Sequence, residues 1–438
     1  MKKLLVAASL AALLCAQSAS AQVWTLAQCI DYAIEHNIQI KQQEISVAQR
    51  EISLNTAENS MLPSLSTSAS ESFSFGRGLT ADNTYANRNT SSTSFNVGAD
   101  VPVFQGGRIR KNIAMEKLNL AAAVADLDKA KDDIRVAVAQ AYIQILYNNE
   151  ILSVAEKQIE IDSLQLYRIE NLLSIGKTSV VEVAQQKSTY EQSKVSLTQA
   201  KNNLKMAILD MTQLLELPSP EGFQVYIPEV SDFLPLLESP ESIYAQAVEV
   251  KPAIEAERTR LDYAAASVSY AKSAFLPTIS LSGGFGTNYY NTKSYTNDSF
   301  FNQMKHNFSE HLGLSLSLPI FTRFSSRNNV RNAQLSMKTQ ELSFERAKKS
   351  LYKEIQQAYY NAVASQGKLR SSRQAAESAE QAFDLVQSKY ETGKANITEY
   401  NEAKQRLFSA KSSLVQAQYE CQYQCKILDF YKGQTLDF

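Results

Sequence analysis

The feature that most constrains this chain of 438 residues is an internal duplication. Short motifs of the first half return in the same order in the second half: MLPSLS at 61–66 as FLPTIS at 275–280, PVF at 102–104 as PIF at 319–321, and GK at 176–177 as GK at 393–394. The interval between the copies is much longer than the roughly 20–50 residues of a solenoid repeat. The chain is therefore a duplicated half-domain.

Each half has the same predicted order: a helix, a Leu-Pro break, two strands around a polar loop, a very long helix, a glycine turn and another helix. Only 14 Gly and 10 Pro occur, a composition typical of long helices. The predicted organisation is a signal peptide at 1–21, a first repeat at 22–216 with strands at about 62–76 and 92–104, a linker at 217–240, and a second repeat at 241–438 with strands at about 277–290 and 307–321.

The N-terminal residues have the pattern of a secretory signal peptide. Two lysines precede an apolar run at 4–15, and Ala-Ser-Ala follows at 19–21, which predicts cleavage after Ala21. Lipid attachment at Cys15 is the alternative, although the bulky Leu14 precedes it where such sites have a small residue. Beyond this segment no run approaches the roughly 18 apolar residues of a membrane-spanning helix, so membrane entry would require strands.

The long helices contain a seam of mostly apolar residues, spaced alternately three and four apart as in a coiled coil. In the first half the seam consists of Leu120, Val124, Leu127, Lys131, Ile134, Val138, Ala141, Ile145, Asn148, Leu152, Ala155, Ile159, Asp162, Leu166, Ile169 and Leu173. Only Lys131, Asn148 and Asp162 interrupt it. A helix of this extent would be about 100 Å long, so we expect a left-handed coiled coil far longer than a globular domain.

The predicted strands alternate apolar and polar residues. In the last one, the apolar positions are Leu312, Leu314, Leu316, Leu318 and Ile320. Such alternation over about ten residues is typical of transmembrane barrels, although a half-buried sheet in a soluble protein would show it too, and both interpretations stay open here. Because four strands cannot close a wide barrel and lipid does not tolerate open edges, the barrel would require an oligomer; three copies give twelve strands.

The duplicated element order, the Leu-Pro before a strand, the Pro-hydrophobic-Phe after one and the YETG turn at 390–393 together resemble the TolC family of outer-membrane efflux and secretion channels. The resemblance covers essentially the whole chain after the signal peptide. It implies a mainly α fold with transmembrane β: a trimeric twelve-stranded β-barrel in the outer membrane and a long α-helical coiled-coil tunnel extending into the periplasm. It also implies a homotrimer that works with a periplasmic adaptor (membrane fusion) protein and an inner-membrane RND or ABC transporter, in tripartite efflux or type I secretion of small molecules or proteins.

The resemblance places the periplasmic tips at the two glycine turns, Gly176-Lys177 and Gly393-Lys394. Glycine permits the left-handed conformation that ends a helix.

Acidic residues after the second turn line the closed aperture in the family. This role maps onto Glu399 and Glu402, with Glu182 at the equivalent place in the first half. In a trimer the first two would form stacked carboxylate rings, an arrangement that favours cations. The sequence departs from the family in having Glu rather than Asp here, and Ala395 where a basic residue is common.

Charge and motifs argue against several other functions. The chain has 44 Lys and Arg against 45 Asp and Glu, so no basic field for nucleic acid is predicted. Gly176-Lys177-Thr178 resembles the end of a phosphate-binding loop, but Asn171 stands where its first glycine is required. With three scattered histidines and no catalytic constellation, we predict no enzyme activity, no cofactor and no metal site.

Two questions stay open at the level of sequence. The first is whether any pair among Cys29, Cys421 and Cys425 is bridged in an oxidising compartment. The second is the alternative function of a non-conducting periplasmic coiled-coil adaptor or structural scaffold protein. An adaptor would normally have one helical hairpin flanked by compact β domains, whereas this chain has two hairpins, each interrupted by strands.

Overall fold

The computed structural model describes residues 23–79, 83–87, 89–228, 235–293 and 296–436. The predicted signal peptide lies outside the described residues. Among the described residues, no helix is both long and apolar enough to cross a membrane.

The elements follow the predicted order. The first half forms β1 (Val23–Trp24), α1 (Leu26–His36), α2 (Ile38–Asn59), β2 (Ser64–Ser74), β3 (Arg77–Leu79), β4 (Tyr85–Asn87), β5 (Thr90–Gln105), α3 (Arg108–Ser174) and α4 (Val180–Leu214). The linker contributes β6 (Gln224–Val225), and the second half forms α5 (Pro240–Val250), α6 (Pro252–Lys272), β7 (Thr278–Thr292), α7 (Phe300–His306), β8 (Ser309–Ser317), α8 (Ser325–Glu391) and α9 (Ile397–Tyr431). The predicted succession of helices and strands in each duplicated half is confirmed.

The duplication also extends to the lengths of the helices. α3 and α8 each have 67 residues, and α4 and α9 each have 35. The described residues divide into two compact units, and each contains segments of both sequence halves: a helical unit from within 1–45, 125–255 and 346–438, and a sheet unit from within 46–124 and 256–345. The repeat in sequence is therefore not the unit of packing.

A large core of the helical unit surrounds the middle of α3. Val138 and Leu146 are fully buried there beside Cys29, Met211 and Leu215. These side chains come from α1, α3 and the end of α4, so the core joins segments far apart in sequence. Burial of each large apolar side chain contributes about 1.5–3 kcal/mol.

A small parallel sheet covers this core. β1 pairs with β6, and the buried Tyr142 hydroxyl donates a hydrogen bond of 2.6 Å to the Tyr226 carbonyl. The same hydroxyl lies 3.3 Å from the Trp24 carbonyl. Tyr142 therefore connects both β1 and the linker to α3 through its hydroxyl group.

The coiled-coil seam is buried along much of both long helices. In α8 the buried seam residues are Leu351, Ile355, Ala358, Ala362, Leu369, Ala376 and Phe383. In α3 two of the three predicted interruptions, Asn148 and Asp162, are buried as well. Because a buried polar side chain must find hydrogen-bond partners, these interruptions are polar layers within the packed helices.

The sheet unit contains an antiparallel sheet of order β2-β5-β7-β8. Directly opposed residues lie on one face, so the ladder through Leu65, Ala99, Gly283 and Leu312 defines an apolar face. The apolar side chains of that face are Leu65, Val97, Ala99, Val101, Leu281, Phe285, Leu312, Leu314 and Leu316, and Thr67, Glu71 and Glu310 lie on the same face. The other face is lined by small polar side chains, among them Ser66, Ser68, Asn96, Ser282 and Ser315.

The end of this sheet differs from the sequence prediction. β8 stops at Ser317, short of the predicted 307–321, because its last pair is with Thr278 at the start of β7 and Pro277 before it has no N–H to continue the ladder. The segment before β8, predicted only as a polar loop, contains the short helix α7, capped by the Ser299 hydroxyl.

Candidate functional site

The first long helix ends in a glycine turn in the helical unit. α3 ends at Ser174, and Gly176 has a φ of +71° in the left-handed region. The Gly176 N–H donates to the Leu173 carbonyl at 2.9 Å, and the Lys177 N–H donates to the Leu172 carbonyl at 2.8 Å. These two bonds form a Schellman motif, which satisfies the last carbonyls of the helix.

The second long helix ends with the same geometry. Gly393 has a φ of +72°, and its N–H donates to the Tyr390 carbonyl at 3.0 Å. The Lys394 N–H donates to the Lys389 carbonyl at 2.7 Å. A Cβ atom built on Gly393, or on the glycine of the first turn, would meet no atom within 4 Å. The backbone conformation, rather than lack of space, therefore requires glycine at both turns.

An acidic residue belongs to the cap of the helix that follows each turn. At the start of α4 the Ser179 hydroxyl accepts the Glu182 N–H at 3.2 Å, and the Glu182 carboxylate accepts a hydrogen bond from the Thr178 hydroxyl. At the start of α9 the Asn396 side chain accepts the Glu399 N–H at 2.9 Å and donates to the Glu399 carboxylate at 3.2 Å. Both carboxylates lie in the first turn, where the helix dipole favours negative charge.

The structure brings Glu399 and Glu402 together but gives Glu182 a different environment. Glu399 and Glu402 are exposed and three residues apart on α9, so they share one helix face beside the Gly393 turn. Glu182 is half-buried and bonded to its own cap. Lys177 and Lys394 are exposed at the two turns.

An aromatic cluster packs behind the second turn. The ring centroids of Tyr390 and Tyr400 are 5.0 Å apart, and those of Phe383 and Tyr400 are 5.5 Å apart. Ile169 of α3 belongs to the same cluster, and the Gln165 amide donates to the Tyr390 hydroxyl at 2.9 Å. Burial, together with the charge of a nearby aspartate, raises the pKa of Tyr400 to about 12. The cluster therefore fixes α8 and α9 against α3 next to the turns.

A buried ion pair lies further along the same helices. The Lys404 ammonium donates to the Asp162 carboxylate, and both side chains are almost completely buried. The Ser193 hydroxyl donates to the other Asp162 oxygen at 2.5 Å. The side-chain oxygen of Asn401 accepts a hydrogen bond from the Lys404 ammonium at 3.0 Å, and the side-chain nitrogen of Asn401 donates to the Gln186 side chain at 3.2 Å. These contacts join α3, α4 and α9 through a single polar layer.

Sequence reasoning identified Asp162 only as a break in the seam and missed its partners. A signal for two of them is present on α4, where Gln186, Ser193, Ala200 and Ala207 recur every seven residues and are all buried. Polar residues at such heptad positions, opposite a break in another helix, indicate a polar layer. Lys404 has no comparable signal, because its contact depends on how the two hairpins pack.

The described residues offer little for a conventional metal centre. Among them, no group of three or more His, Cys, Asp and Glu side chains is arranged to hold a metal ion. Cys29, Cys421 and Cys425 are all buried and free, which answers the question about bridging that the sequence left open.

Comparison with protein families matches both halves of the chain. Residues 29–216 and 243–433 fit the outer membrane efflux protein family. The chain belongs to this family. It is an outer-membrane efflux channel protein, so the predicted TolC-family resemblance and the outer-membrane location extending into the periplasm are confirmed.

The relatives within this family differ in their described roles. The chain is 24% identical over 384 residues to the outer membrane protein TolC of Escherichia coli, covering 84% of this chain and 73% of that protein. It is 22% identical over 407 residues to the cation efflux system protein CusC of Escherichia coli, covering 91% and 83%. The crystal structure of the Campylobacter jejuni CmeC outer membrane channel has the same fold, with a TM-score of 0.77 at 19% identity, covering 93% of this chain and 84% of that one.

Proposed function

We propose that the chain is one subunit of a homotrimeric channel-tunnel that exports small molecules, such as drugs or other toxic compounds, or proteins. In this proposal three four-stranded sheets close a twelve-stranded barrel in the outer membrane, and the paired helices of three copies line a tunnel through the periplasm. The system around it is a tripartite efflux or type I secretion assembly.

The observation that supports this proposal most strongly is the pair of unlike faces on the sheet. The apolar face is exposed, with Leu312, Leu314 and Leu316 showing 80%, 70% and 69% of their surface. A contiguous exposed apolar surface of this kind marks contact with lipid or protein. The small serines and asparagines opposite suit a water-filled lumen.

The sheet edges support association of several copies. Within the described residues, β2 and β8 each pair with a strand on one side only. Unpaired backbone groups at these edges would be costly in hydrocarbon, so they require strands from another chain. Pairing β8 of one copy with β2 of the next, three times around, closes the ring.

The tip geometry supports a narrow periplasmic end. Glu399 and Glu402 are exposed acids on the helix that follows the Gly393 turn, so in a trimer each would form a ring of three carboxylates around the axis. Such rings attract cations and concentrate them at the constriction. We assign the aperture to these residues, with Glu182 capping the neighbouring helix.

The first tip offers a surface for partner proteins. Ile175, Val180 and Val181 lie within a few residues of the Gly176 turn and expose 63%, 70% and 73% of their surface. Apolar side chains on a polar helical surface are typical of a protein interface. We assign this surface to a periplasmic adaptor protein, which connects the channel to an RND or ABC transporter in the inner membrane.

A site-directed spin-labelling experiment tests the barrel. Leu314→Cys and Ser315→Cys are neighbouring positions on opposite faces of β8, and each is labelled in a variant that lacks the native cysteines. In reconstituted protein, the label at 314 should be relaxed by lipid-soluble oxygen and the label at 315 by a water-soluble nickel complex. Native mass spectrometry should show three chains per particle.

The alternative, a coiled-coil scaffold, predicts different results. If both labels respond mainly to the water-soluble reagent and the protein does not associate with lipid, the sheet is not in a bilayer. A trimer whose labels show no contact with lipid would support the scaffold and contradict the channel.

A further inference from the structure

Two cysteines lie one helical turn apart on α9, in a small apolar cluster away from the tips. Cys421 and Cys425 are 3% and 8% exposed, and they pack with Leu369 and Ala417. Leu237 of the linker and Leu414 contact the same cluster. The two thiols thus share a dry environment where α8, α9 and the linker meet.

Helix geometry prevents the two cysteines from forming a disulfide. Residues four apart on a helix have Cβ atoms about 5–6 Å apart, whereas a disulfide requires about 3.5–4.5 Å. Bridging Cys421 to Cys425 would therefore unwind a turn of α9. Cys29 belongs to a different core cluster, around Leu26 and Ile30, and cannot serve as the partner. The pair thus remains a dithiol even in an oxidising compartment.

The sulfur atoms are nevertheless close to each other and have a donor beside them. Cys421 and Cys425 lie one turn apart on the same face of α9, so their sulfur atoms are neighbours. The Gln366 amide of α8 lies 3.9 Å from the Cys425 sulfur and also donates to the Pro235 carbonyl at 2.9 Å. Burial raises the pKa of the Cys425 thiol to about 12, so the site holds protons until a ligand displaces them.

We propose that Cys421 and Cys425 bind one soft monovalent cation, Cu⁺ or Ag⁺, as a two-coordinate bis-thiolate. Each thiol releases its proton to solvent and forms one sulfur–metal bond, with no change of oxidation state. Soft thiolate ligands select Cu⁺ over hard cations. Zn²⁺ requires four ligands in structural sites, and among the described residues no group of three or more His, Cys, Asp and Glu side chains is arranged to hold a metal ion.

The Gln366 amide is the positioning group of this site. Its hydrogen bond toward the Cys425 sulfur offsets the negative charge that remains when two thiolates hold one monovalent cation. Because the same amide holds the Pro235 carbonyl, cation binding would stiffen the contact between α8, α9 and the linker. The site is independent of conduction and can be tested in purified protein whether or not the channel is open.

The test is an anaerobic titration of the reduced full-length mature protein with Cu⁺, in competition with a chromophoric Cu⁺ chelator. We expect one Cu⁺ per chain, a thiolate-to-copper absorption band and release of two protons to an indicator dye. Cys421→Ala or Cys425→Ala turns a chelate into a single ligand and should weaken binding by about 10²- to 10⁴-fold. Cys29→Ala, another buried cysteine, is the matched control and should leave the affinity unchanged.

Two further variants separate metal binding from a merely structural role. Cys425→Met retains a soft ligand, so it should still bind Cu⁺ but release one proton rather than two. Gln366→Leu should lower the affinity about 10-fold with both cysteines intact. Native-like Cu⁺ binding by folded Cys421→Ala, or a Cys421–Cys425 disulfide in air-exposed protein mapped by mass spectrometry, would overturn the proposal.

Discussion

The Lys404 ammonium and the Asp162 carboxylate form an ion pair with 1% and 0% of their side chains exposed. Removing two charges from water is costly, and hydrogen bonds from Ser193 and to Asn401 complete the shell that makes the pair tolerable. Either charge alone would be buried without compensation. The pair therefore behaves as one unit that fixes α9 against α3.

Replacing only one partner of this pair should strongly destabilise the helices beside the two glycine turns. Asp162→Asn or Lys404→Met should each cost about 3–5 kcal/mol, because each leaves one buried charge unpaired. Hydrogen exchange of the segments around 155–170 and 397–407, followed by mass spectrometry, measures the effect. The double variant Asp162→Leu with Lys404→Met should recover most of the lost protection.

The exposed ion pair of Lys338 and Glu341 is the matched control. Its side chains are 65% and 48% exposed, so Lys338→Met should cost less than about 1 kcal/mol. A double variant at 162 and 404 that loses as much protection as the sum of the single variants would show that the two groups do not act together.

The glycine turns should resist substitution for conformational reasons. Gly176→Ala or Gly393→Ala forces a Cβ atom into the left-handed region and should cost about 1–2 kcal/mol locally. Gly367 also has open space around it, but it lies in the helical α8 without a positive φ, so Gly367→Ala should stabilise by about 0.5–1 kcal/mol. Hydrogen exchange should become faster near residue 176 or 393 in the destabilised variants and slower near residue 367 in Gly367→Ala. Equal effects at 367 and 393 would contradict the role assigned to φ.

Tyr142 should anchor the linker through its hydroxyl. Tyr142→Phe keeps the ring in the core but leaves the Tyr226 carbonyl without its 2.6 Å partner, at a cost of about 1–2 kcal/mol. Tyr167→Phe, on an exposed part of the same helix, is the control and should be silent. Limited proteolysis in the linker should become faster only in the first variant. Unchanged cleavage would mean that other contacts hold the linker.

Stability should fall at high pH partly through Tyr400. Burial raises the pKa of Tyr400 from 10.0 to about 12, so between these values the unfolded chain loses the phenol proton while the folded chain keeps it. The unfolded state therefore gains relative stability as pH rises through that window. Between pH 10 and 12, the hydrogen-exchange protection of residues 397–407 should decline less steeply in Tyr400→Phe than in the native protein. Identical slopes would place the pH sensitivity elsewhere.

The sequence predicted the elements whose evidence is periodic. Alternation with period two located the strands around Val97 and Leu314, and the heptad seam located the long helices, because each pattern depends on neighbouring residues alone. The repeat then fixed the order. Bounds were less well predicted: the end of β8 depends on Pro277 of the facing strand, which no property of β8 itself indicates.

The candidate site was predictable only where backbone chemistry determines it. Gly176 and Gly393 stand at the ends of seams, so their turns follow from local sequence. The Asp162–Lys404 pair joins residues far apart in the chain and depends on the packing of two hairpins. The proposed ring of Glu399 and Glu402 would be formed by several copies of the chain, which a single sequence does not describe.

The most direct test of the proposed channel is conductance across planar lipid bilayers. We expect small cation-selective openings from the native trimer and loss of selectivity in Glu399→Gln with Glu402→Gln, since glutamine still supports the helix cap. The control is Glu377→Gln with Glu380→Gln, an exposed pair of acids with the same spacing on α8, which should keep the selectivity. If a folded, membrane-inserted trimer gives no conductance, and loosening its tips with Lys404→Met also gives none, the channel account is contradicted.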